Sequence, residues 1–418
     1  MSNKFLILLV SIFSLRSVES NASLIKQFIN DTIISGDLRT YEFNREYSKV
    51  PSQNAVSFGG GLNILTGELL PGLRFDGELY TAQPFGLNSD ERNRVDNTLP
   101  GYALTTLGQS YLQYQHANLL LQGGNQLLNT PWINSTDSRM IPATYQAVYG
   151  QTLLFQHFTV TLLRSFRYKG RSENGFTKTN LYNTNNIGGT NITAFGNTPD
   201  NGALSFGVNY QLNNLAAQAW YYQFYDFSQL FYADTRYNFN NFFNLKPFLS
   251  AQILQEIGSG KNLLSDYEGG NANAVAFGSN LGINFWDITT SIAYNYIPQQ
   301  ENAFKYGDIL SPYTSGYADD PLYTTSMIAG LVEKSSGHAV KLTATFNLLN
   351  STLLFSSSYA KYFTRPYLAN TSEIDADLTY NFSQRLKDCS IRYRIGILNG
   401  NSSTGRFVYN RIMLQYIF

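Results

Sequence analysis

The chain has 418 residues, only 14% of them charged, and its 29 Lys and Arg residues balance 29 Asp and Glu residues. Soluble domains average about 25% charged residues, and nucleic-acid binding needs a basic surface, so the composition favours neither class. Tyr and Phe are abundant, at 30 and 29 residues, although the mean hydropathy is only −0.22, which is typical of strands that alternate between lipid and water. The single cysteine, Cys389, excludes an intrachain disulfide and argues against a structural zinc site.

The N-terminus has the features of a secretory signal peptide. Lys4 precedes an apolar run over residues 5–15, and the small residues at 20–22 suit a cleavage site. The run is too short to cross a membrane as a helix, which needs about 20 apolar residues, and no later segment approaches that length. We therefore expect residues 1–22 to be a signal peptide and residues 23–418 to form one exported domain.

From Thr32 onward, about 18 segments have the two-residue alternation of β-strands. In the segment 203–210, for example, large apolar residues at even positions alternate with small or polar residues at odd positions. The polar set would suit a water-filled lumen and the apolar set would suit lipid.

The connections between these segments distinguish a membrane barrel from a soluble β-sandwich, which also alternates. Short turns on one rim and long loops on the other are typical of the periplasmic and extracellular ends of an outer-membrane barrel. The short connections lie around residues 67–71, 116–117, 212–214, 240–242, 284–286, 349–351 and 383–387. The long ones lie around residues 44–54, 82–104, 127–143, 170–202, 256–271 and 298–337.

The final segment, residues 407–418, has one apolar face and one polar face, and the two faces need different surroundings. Ile412, Leu414, Tyr416 and Phe418 share one face, while Arg411 lies on the other. In a membrane barrel, lipid would cover the apolar face and water would cover the polar face. The backbone groups would pair with the first strand. We therefore predict an all-β fold, a transmembrane antiparallel β-barrel of about 18 strands in the bacterial outer membrane, with short periplasmic turns and long extracellular loops.

The third long loop, residues 127–143, contains Trp132 and two prolines. Proline rigidifies the backbone and tryptophan prefers burial, so both are unusual in a mobile surface loop. We expect this loop to fold into the lumen and narrow it, and an ordered external loop packed on its neighbours is the alternative. Its candidate constriction residues are Asp137, Ser138 and Arg139.

Arginines cluster on the inward faces of three strands that become neighbours when the ring closes. Arg392 and Arg394 share one inward face, Arg411 is inward on the last strand, and the first strand contributes Arg39, with Arg45 near its extracellular end. One of Arg392 and Arg394 should lie near Arg411, although like charges placed opposite each other typically cost a few tenths to about 1 kcal/mol. A cluster that costs stability invites a functional explanation.

A simpler interpretation of the same arginines is neutralisation by neighbouring acids. Asp375 and Asp377 point inward on the sixteenth strand, and any consistent register sets one of them against Arg392 or Arg394. Both interpretations can hold together, because a guanidinium group in a wet lumen can still bind a passing carboxylate with two hydrogen bonds.

Sequence motifs for catalysis or metal binding are not found. His116, His157 and His338 have no serine or acid at a catalytic spacing, and Gly59, Gly60 and Gly61 lie inside a strand pattern rather than a phosphate-binding loop. We expect no enzyme activity, no cofactor and no nucleic-acid partner. The rival function is non-catalytic, an adhesin or structural barrel that acts through its extracellular loops.

The chain resembles the OprD-type substrate-selective porins of Gram-negative bacteria. The segments that carry the resemblance are residues 38–46 (LRTYEFNRE), 108–114 (GQSYLQY), 126–131 (QLLNTP), 137–142 (DSRMIP) and 320–323 (DPLY), together with the final two strands. The resemblance implies an eighteen-stranded barrel, a constricting third loop, and a ladder of basic side chains on the opposite wall that guides carboxylate-bearing solutes.

The expected function is passive diffusion of small solutes through the outer membrane. The expected partners are small anionic or zwitterionic solutes, such as carboxylates and amino acids, and outer-membrane lipid. Monomer and homotrimer both remain open, and so does the position of the loop at residues 298–337 relative to the pore.

Overall fold

The structure is a computed structural model. It describes residues 26–96, 99, 102–135, 139–182, 199–241, 243–261, 263, 270–314, 319–364 and 370–418. The predicted signal peptide lies outside the described residues.

The described residues form one closed antiparallel sheet of 18 strands. Each strand pairs with the next along the chain, and the first strand pairs with both the second and the last, so the ring has no free edge. This arrangement confirms the predicted barrel and its strand number. The strands are β1 (Ile33–Tyr47), β2 (Gln53–Leu65), β3 (Leu73–Gln83), β4 (Leu104–His116), β5 (Leu119–Gln126), β6 (Thr144–Leu154), β7 (Phe158–Lys169), β8 (Ala203–Leu212), β9 (Leu215–Phe224), β10 (Ser228–Asn238), β11 (Leu245–Gly258), β12 (Asn273–Phe285), β13 (Ile288–Ile297), β14 (Gly337–Leu348), β15 (Leu353–Thr364), β16 (Thr371–Asn381), β17 (Cys389–Asn401) and β18 (Gly405–Ile417).

Side chains alternate between an apolar outer surface and a polar lumen. Leu107, Leu162, Leu281 and Leu342 point outward from four different strands, and each is half exposed or more. Such leucines would be costly in water, and they form the surface that a bilayer covers. No helix among the described residues is long and apolar enough to cross a membrane.

The connections follow the predicted rhythm, with tight turns at one rim, such as 117–118 and 286–287, and long loops at the other. Some connections at the long-loop rim are also short, namely those at 225–227 and 402–404. Among the described residues, helical structure is confined to residues 26–30 and to short 3₁₀ turns in the connections, such as Phe304–Tyr306. The barrel wall therefore carries nearly all of the regular structure.

The loop at residues 127–143 lies inside the barrel rather than packed outside it. Trp132 is fully buried, its backbone N–H donates to the Tyr222 hydroxyl at 3.3 Å, and its ring packs edge-on against Tyr232 at 6.1 Å between centroids. Both tyrosines project inward, from β9 and β10. The loop thus lies in the lumen against the inner face of β9 and β10, where the indole ring is buried as the sequence predicted.

The loop at residues 298–336 also folds inward. Its backbone donates from Leu310 to a carboxylate oxygen of Glu256 on β11 at 2.8 Å, and from Thr324 to the side chain of Asn295 on β13 at 3.0 Å. A buried loop needs partners for its backbone N–H groups, and inward side chains of the wall supply them here. The position of this loop, which the sequence left open, is therefore inside the barrel.

Candidate functional site

Five inward arginines on three adjacent strands form what we call the arginine wall: Arg39, Arg45, Arg392, Arg394 and Arg411. Odd-numbered residues of β1 and β18 and even-numbered residues of β17 face the lumen, because side chains alternate along a strand. In the register of β17 and β18, Arg394 lies directly opposite Arg411. The structure therefore brings together the two like charges that the sequence placed near each other.

Aromatic side chains separate the positive charges of the wall. The guanidinium group of Arg411 lies 4.4 Å from the ring centroid of Tyr409, and it donates to the hydroxyl of Tyr41 at 3.1 Å. Arg45 lies 4.9 Å from the centroid of Phe43. Cation–π contacts of this kind are worth roughly 0.5–2 kcal/mol, so the rings offset part of the cost of burying the arginines.

Asp377 on β16 binds two arginines of the wall. It accepts hydrogen bonds from Nε and Nη2 of Arg392 at 2.9 and 2.6 Å, and its Oδ2 lies 2.8 Å from Nε of Arg394. The side chain of Arg392 nevertheless stays 37% exposed to the lumen. Neutralisation is thus real for these two arginines, and it leaves Arg392 accessible to a solute.

The second inward acid, Asp375, has a different partner. It is buried, and its carboxylate accepts from the backbone N–H of Met327 at 3.3 Å and from the Ser358 hydroxyl at 3.1 Å. In the register of β16 and β17, Asp375 lies opposite Gly396, which has no side chain to pair with it. Asp375 therefore anchors the loop 298–336 rather than pairing with the wall.

Arg139, expected at a constriction opposite the arginines, lies on the arginine wall itself. Its Nη1 donates to the Tyr409 hydroxyl at 3.0 Å, and its guanidinium group lies 4.7 Å from the centroid of Phe43. Its backbone carbonyl accepts from Nη1 of Arg39 at 3.0 Å. At this point the loop adds a cation to the wall. Asp137 and Ser138 lie outside the described residues.

Two further acids pair with the ends of the wall. Asp37 lies 2.5 Å from Nε of Arg39, and Asp96 lies 3.3 Å from Nε of Arg45. Asp37 shares the inward parity of Arg39 two residues away, so alternation could have identified it. Asp96 lies in the loop between β3 and β4, where no periodicity indicates a direction.

Small inward residues on β2 leave room for the side chains of β1. Gly61, Gly59, Ser57 and Ala55 lie opposite Asp37, Arg39, Tyr41 and Phe43 in the register of the two strands. A Cβ atom at Gly59 would collide with the carbonyl oxygen of Thr81 on β3. The glycine run therefore allows strands β2 and β3 to approach closely beside the arginine wall. Its position inside a strand pattern indicated this role.

The loop 298–336 covers the lumen face next to the wall. The carboxylate of Glu373 on β16 accepts from the backbone N–H groups of Ile328 and Ala329, both at 2.7 Å. The side chain of Ile328 lies close over Gly396, because a Cβ atom added there would be 3.0 Å from its Cδ1. An apolar surface thus borders the arginines on the extracellular side. Sequence reasoning missed Glu373, although its inward parity matches that of Asp375 and Asp377.

A metal centre is not part of this site in the ranges that the structure covers. No three or more His, Cys, Asp or Glu residues among them are arranged to hold a metal ion. The lumen offers guanidinium groups, aromatic faces and a few paired carboxylates, which is chemistry for binding anions reversibly.

The chain resembles solved outer-membrane structures over nearly its whole length. No family model and no curated protein matches it. OccK9 (OpdG) of Pseudomonas aeruginosa has a TM-score of 0.77 at 17% identity, over 94% of this chain and 99% of that chain. OpdK of Pseudomonas aeruginosa, solved with vanillate, has a TM-score of 0.74 at 13% identity, over 94% and 99%.

A third similar structure is OccK2 (OpdF) of Pseudomonas aeruginosa in complex with glucuronate. Its TM-score is 0.72 at 12% identity, over 94% of this chain and 97% of that chain. At such identities the similarity shows the fold.

Proposed function

We propose that this chain, whose barrel has the fold of the OprD-type porins, is an outer-membrane porin through which small carboxylate-bearing solutes diffuse without energy input. The observation that carries the proposal is the pairing of Arg394 with Arg411 on the lumen face. Like charges placed opposite each other destabilise a sheet. The same two positive charges create a positive potential in the lumen that attracts anions.

The chemistry of the ligands in two similar barrels supports the same solute class. Vanillate and glucuronate, found with OpdK and OccK2, each carry a carboxylate. A guanidinium group binds a carboxylate through two parallel hydrogen bonds, and Arg392 is exposed enough to do so in this chain. Zwitterions are a second class within the proposal, because Asp37 and Asp377 offer carboxylates beside the arginines.

The proposed mechanism is stepwise passage along the wall. With the short turns on the periplasmic side, Arg45 lies near the extracellular end of β1 and Arg39 lies near the middle of the strand. Arg411 and Arg394 lie between them. Several adjacent sites of moderate affinity allow a solute to enter the pore without being trapped in it. The acids that neutralise part of the wall keep the affinity of each site moderate.

Reversal potentials in planar bilayers under a KCl gradient test the proposal. The wild type should prefer anions, and the double variant Arg394→Gln, Arg411→Gln should lower the anion-to-cation permeability ratio by more than about fivefold, since each charge contact in water is worth about 1 kcal/mol. Lys246→Gln is the matched control, because it removes one positive charge from the inward parity of β11, away from the wall. An unchanged ratio in the double variant would contradict the proposal, and absence of any conductance would favour the adhesive or structural barrel.

A further inference from the structure

Three cations lie on the outer surface of the barrel around the extracellular half of β7. Arg164 shares the outward face of Leu162, which is 56% exposed. Arg167 is also outward, because Phe166 is an extra residue relative to β6 and the alternation shifts there by one position. The next residue, Tyr168, is accordingly buried on the lumen side.

The third cation, Lys178, comes from the loop that follows β7. Thr177 forms an antiparallel bridge with Tyr168, and their backbones exchange hydrogen bonds of 2.9 and 3.0 Å. The neighbouring pair in that register is Arg167 and Lys178, and alternation turns both side chains to the outer surface, where both are exposed. We call Arg164, Arg167 and Lys178 the outer basic patch.

The outer basic patch lies at the depth of the lipid headgroups. A strand crosses the hydrocarbon core in about 9–11 residues, and Arg167 is the tenth residue of β7, counted from Phe158 beside the periplasmic turn. Arg164 is the seventh residue, and its Nη2 donates to the backbone carbonyl of Asn201 at 3.0 Å, in the connection ahead of β8. Its side chain therefore extends toward the extracellular rim, as long cationic side chains do at a membrane interface.

Arg164 is held in place by uncharged groups. Its guanidinium group lies 4.7 Å from the ring centroid of Phe166 and 4.5 Å from that of Tyr225. Its Nη1 donates to the backbone carbonyls of Ser165 and Ala203. Rings and carbonyl groups carry no net charge, so these contacts fix the direction of the side chain and leave its positive charge in place.

The positive charge of the patch is not neutralised within the described ranges. None of its three cations forms an ion pair with a described residue, and the side chains of Arg167 and Lys178 make no hydrogen bond there. The acids of this region accept from other groups: Asp200 from the Tyr313 hydroxyl at 2.5 Å, Asp226 from the Asn201 amide at 3.0 Å, and Glu173 from the Gly170 backbone at 3.0 Å. Like charges placed opposite each other cost a few tenths to about 1 kcal/mol, and an anion that covers the patch would offset that cost.

We infer that the outer basic patch binds the phosphate groups of lipopolysaccharide in the outer leaflet of the membrane. An arginine matches two phosphate oxygens with a planar pair of donors, and a lysine adds a compact positive charge. The acyl chains of the same lipid would lie against Leu162 and Phe206, which pair across β7 and β8 on the periplasmic side of Arg164. The site is on the outer wall, so the inference goes beyond the proposed function and does not depend on what passes through the lumen.

Native mass spectrometry of the refolded protein in detergent measures the binding. The probe is diphosphoryl lipid A, the phosphorylated anchor of lipopolysaccharide, and monophosphoryl lipid A with the same acyl chains is the reference. The wild type should bind the diphosphoryl form about fivefold more tightly, since one charge contact near a membrane surface is worth about 1 kcal/mol. Equal affinities for the two forms would overturn the inference without any variant.

The variants Arg167→Gln and Lys178→Gln should each weaken the binding of diphosphoryl lipid A about fivefold. The folded fraction on an unheated SDS gel should stay unchanged, because neither side chain has a partner in the described parts of the chain. Arg385→Gln is the matched control, because it removes one exposed positive charge from a periplasmic turn at the other rim. Unchanged affinity in the double variant Arg167→Gln, Lys178→Gln would overturn the inference.

Two phospholipids distinguish lipopolysaccharide from other lipids. Phosphatidylglycerol carries a single phosphate diester and should bind about fivefold more weakly than diphosphoryl lipid A. Phosphatidylglycerol that binds as tightly would overturn the assignment to lipopolysaccharide. Phosphatidylethanolamine has no net charge and should bind wild type and Arg167→Gln equally. A loss of its binding in Arg167→Gln would also overturn the inference, because the arginine would then act through general lipid contact.

Discussion

Asp377 accepts hydrogen bonds from Arg392 and contacts Arg394, and Arg394 in turn lies opposite Arg411. One carboxylate is thus shared among several cations, and the remaining positive charge is what a solute can use. The Asp377 side chain is only 15% exposed, so removing this acid should change the field in the lumen and also leave two arginines without their acidic partner.

We expect Asp377→Asn to raise the anion-to-cation permeability ratio about fivefold, because one neutralising charge of about 1 kcal/mol is removed from the wall. The reversal potential under a KCl gradient measures the change. Asp388→Asn makes the same substitution in a periplasmic turn and should leave the ratio near the wild-type value. A fall in the ratio for Asp377→Asn would contradict this account of the wall.

Alternation along a strand allowed the inward direction of Arg392, Arg394 and Arg411 to be predicted from the sequence. Hairpin connection then required one of the first two to lie near the third, and the register selects Arg394. Arg139 was assigned to the opposite side because a loop has no period from which a direction follows. Its position depends on Phe43 and Tyr409, which are remote in the sequence.

At the scale of elements, the loop 127–143 is held across the lumen by Trp132. Truncating a buried tryptophan to alanine typically costs about 3–5 kcal/mol. Because Trp132 belongs to a loop inside a closed wall, we expect this loss to weaken loop docking and leave the barrel intact.

Trp132→Ala should therefore raise single-channel conductance and open-channel noise. Recordings in symmetric KCl measure both quantities. Trp286→Ala is the control, since Trp286 is 79% exposed in a turn outside the lumen. An unchanged conductance together with an unchanged noise level would show that the indole does not hold the constriction.

The loop 298–336 contains a buried acid whose ionisation opposes docking. Burial raises the pKa of Asp308 to about 8, with Lys305 lowering it and Glu333 raising it further. Lys334 and Glu256 also face this carboxyl group. The docked loop favours the neutral acid, so docking is strongest below the ordinary pKa of about 3.9 and weakens as the pH rises from there through about 8.

We expect hydrogen-exchange protection of this loop to fall between about pH 4 and pH 8 in the wild type, and to fall less in Asp308→Asn. The asparagine keeps the size of the side chain and cannot ionise. Exchange in β3, which pairs with β2 and β4 away from the loop anchors on β11, β13 and β16, provides the internal reference. Equal pH slopes in the two proteins would exclude Asp308 as the titrating group.

Sequence reasoning predicted the inward fold of one long loop and not of the other. Trp132 and the prolines of the loop 127–143 indicated burial directly. The loop 298–336 contains the apolar stretch Met327–Val332, which was a usable signal, but its anchors Glu373 and Asp375 lie on a strand later in the chain. These contacts between the loop and a later strand depend on the closed barrel, so the local sequence pattern does not predict them.

At the scale of the whole molecule, the ring closes through the pairing of β1 with β18, and Gly36 and Phe418 extend that pairing at one end. The N–H of Gly36 donates to the carbonyl of Phe418 at 2.9 Å, and the N–H of Phe418 donates back to Gly36 at 3.0 Å. A Cβ atom at Gly36 would collide with the carbonyl oxygen of Gly61 and lie 2.9 Å from the Phe418 ring. Strand number and closure were predictable, since alternation and turn rhythm extend over the entire barrel.

Gly36→Val should lower the fraction of protein that closes. Overpacking typically costs about 1–3 kcal/mol, and here it acts on the pairing that completes the ring. The fraction migrating as a folded band on an unheated SDS gel measures closure. Gly123→Val is the control, because a Cβ atom at Gly123 meets open space. Equal folded fractions for the two variants would show that the Gly36 contact does not limit closure.

Binding of an anion at the arginine wall should increase the free energy of unfolding of the barrel. Arg139 and Arg411 are almost fully buried near Arg394, so the folded chain stores repulsion that a bound anion relieves and the unfolded chain does not. A ligand that binds only the folded state adds about 2.7 kcal/mol to the free energy of unfolding at a hundred times its dissociation constant. The melting temperature of the refolded protein therefore provides a screen for its solutes, because a solute that binds the folded barrel will raise it.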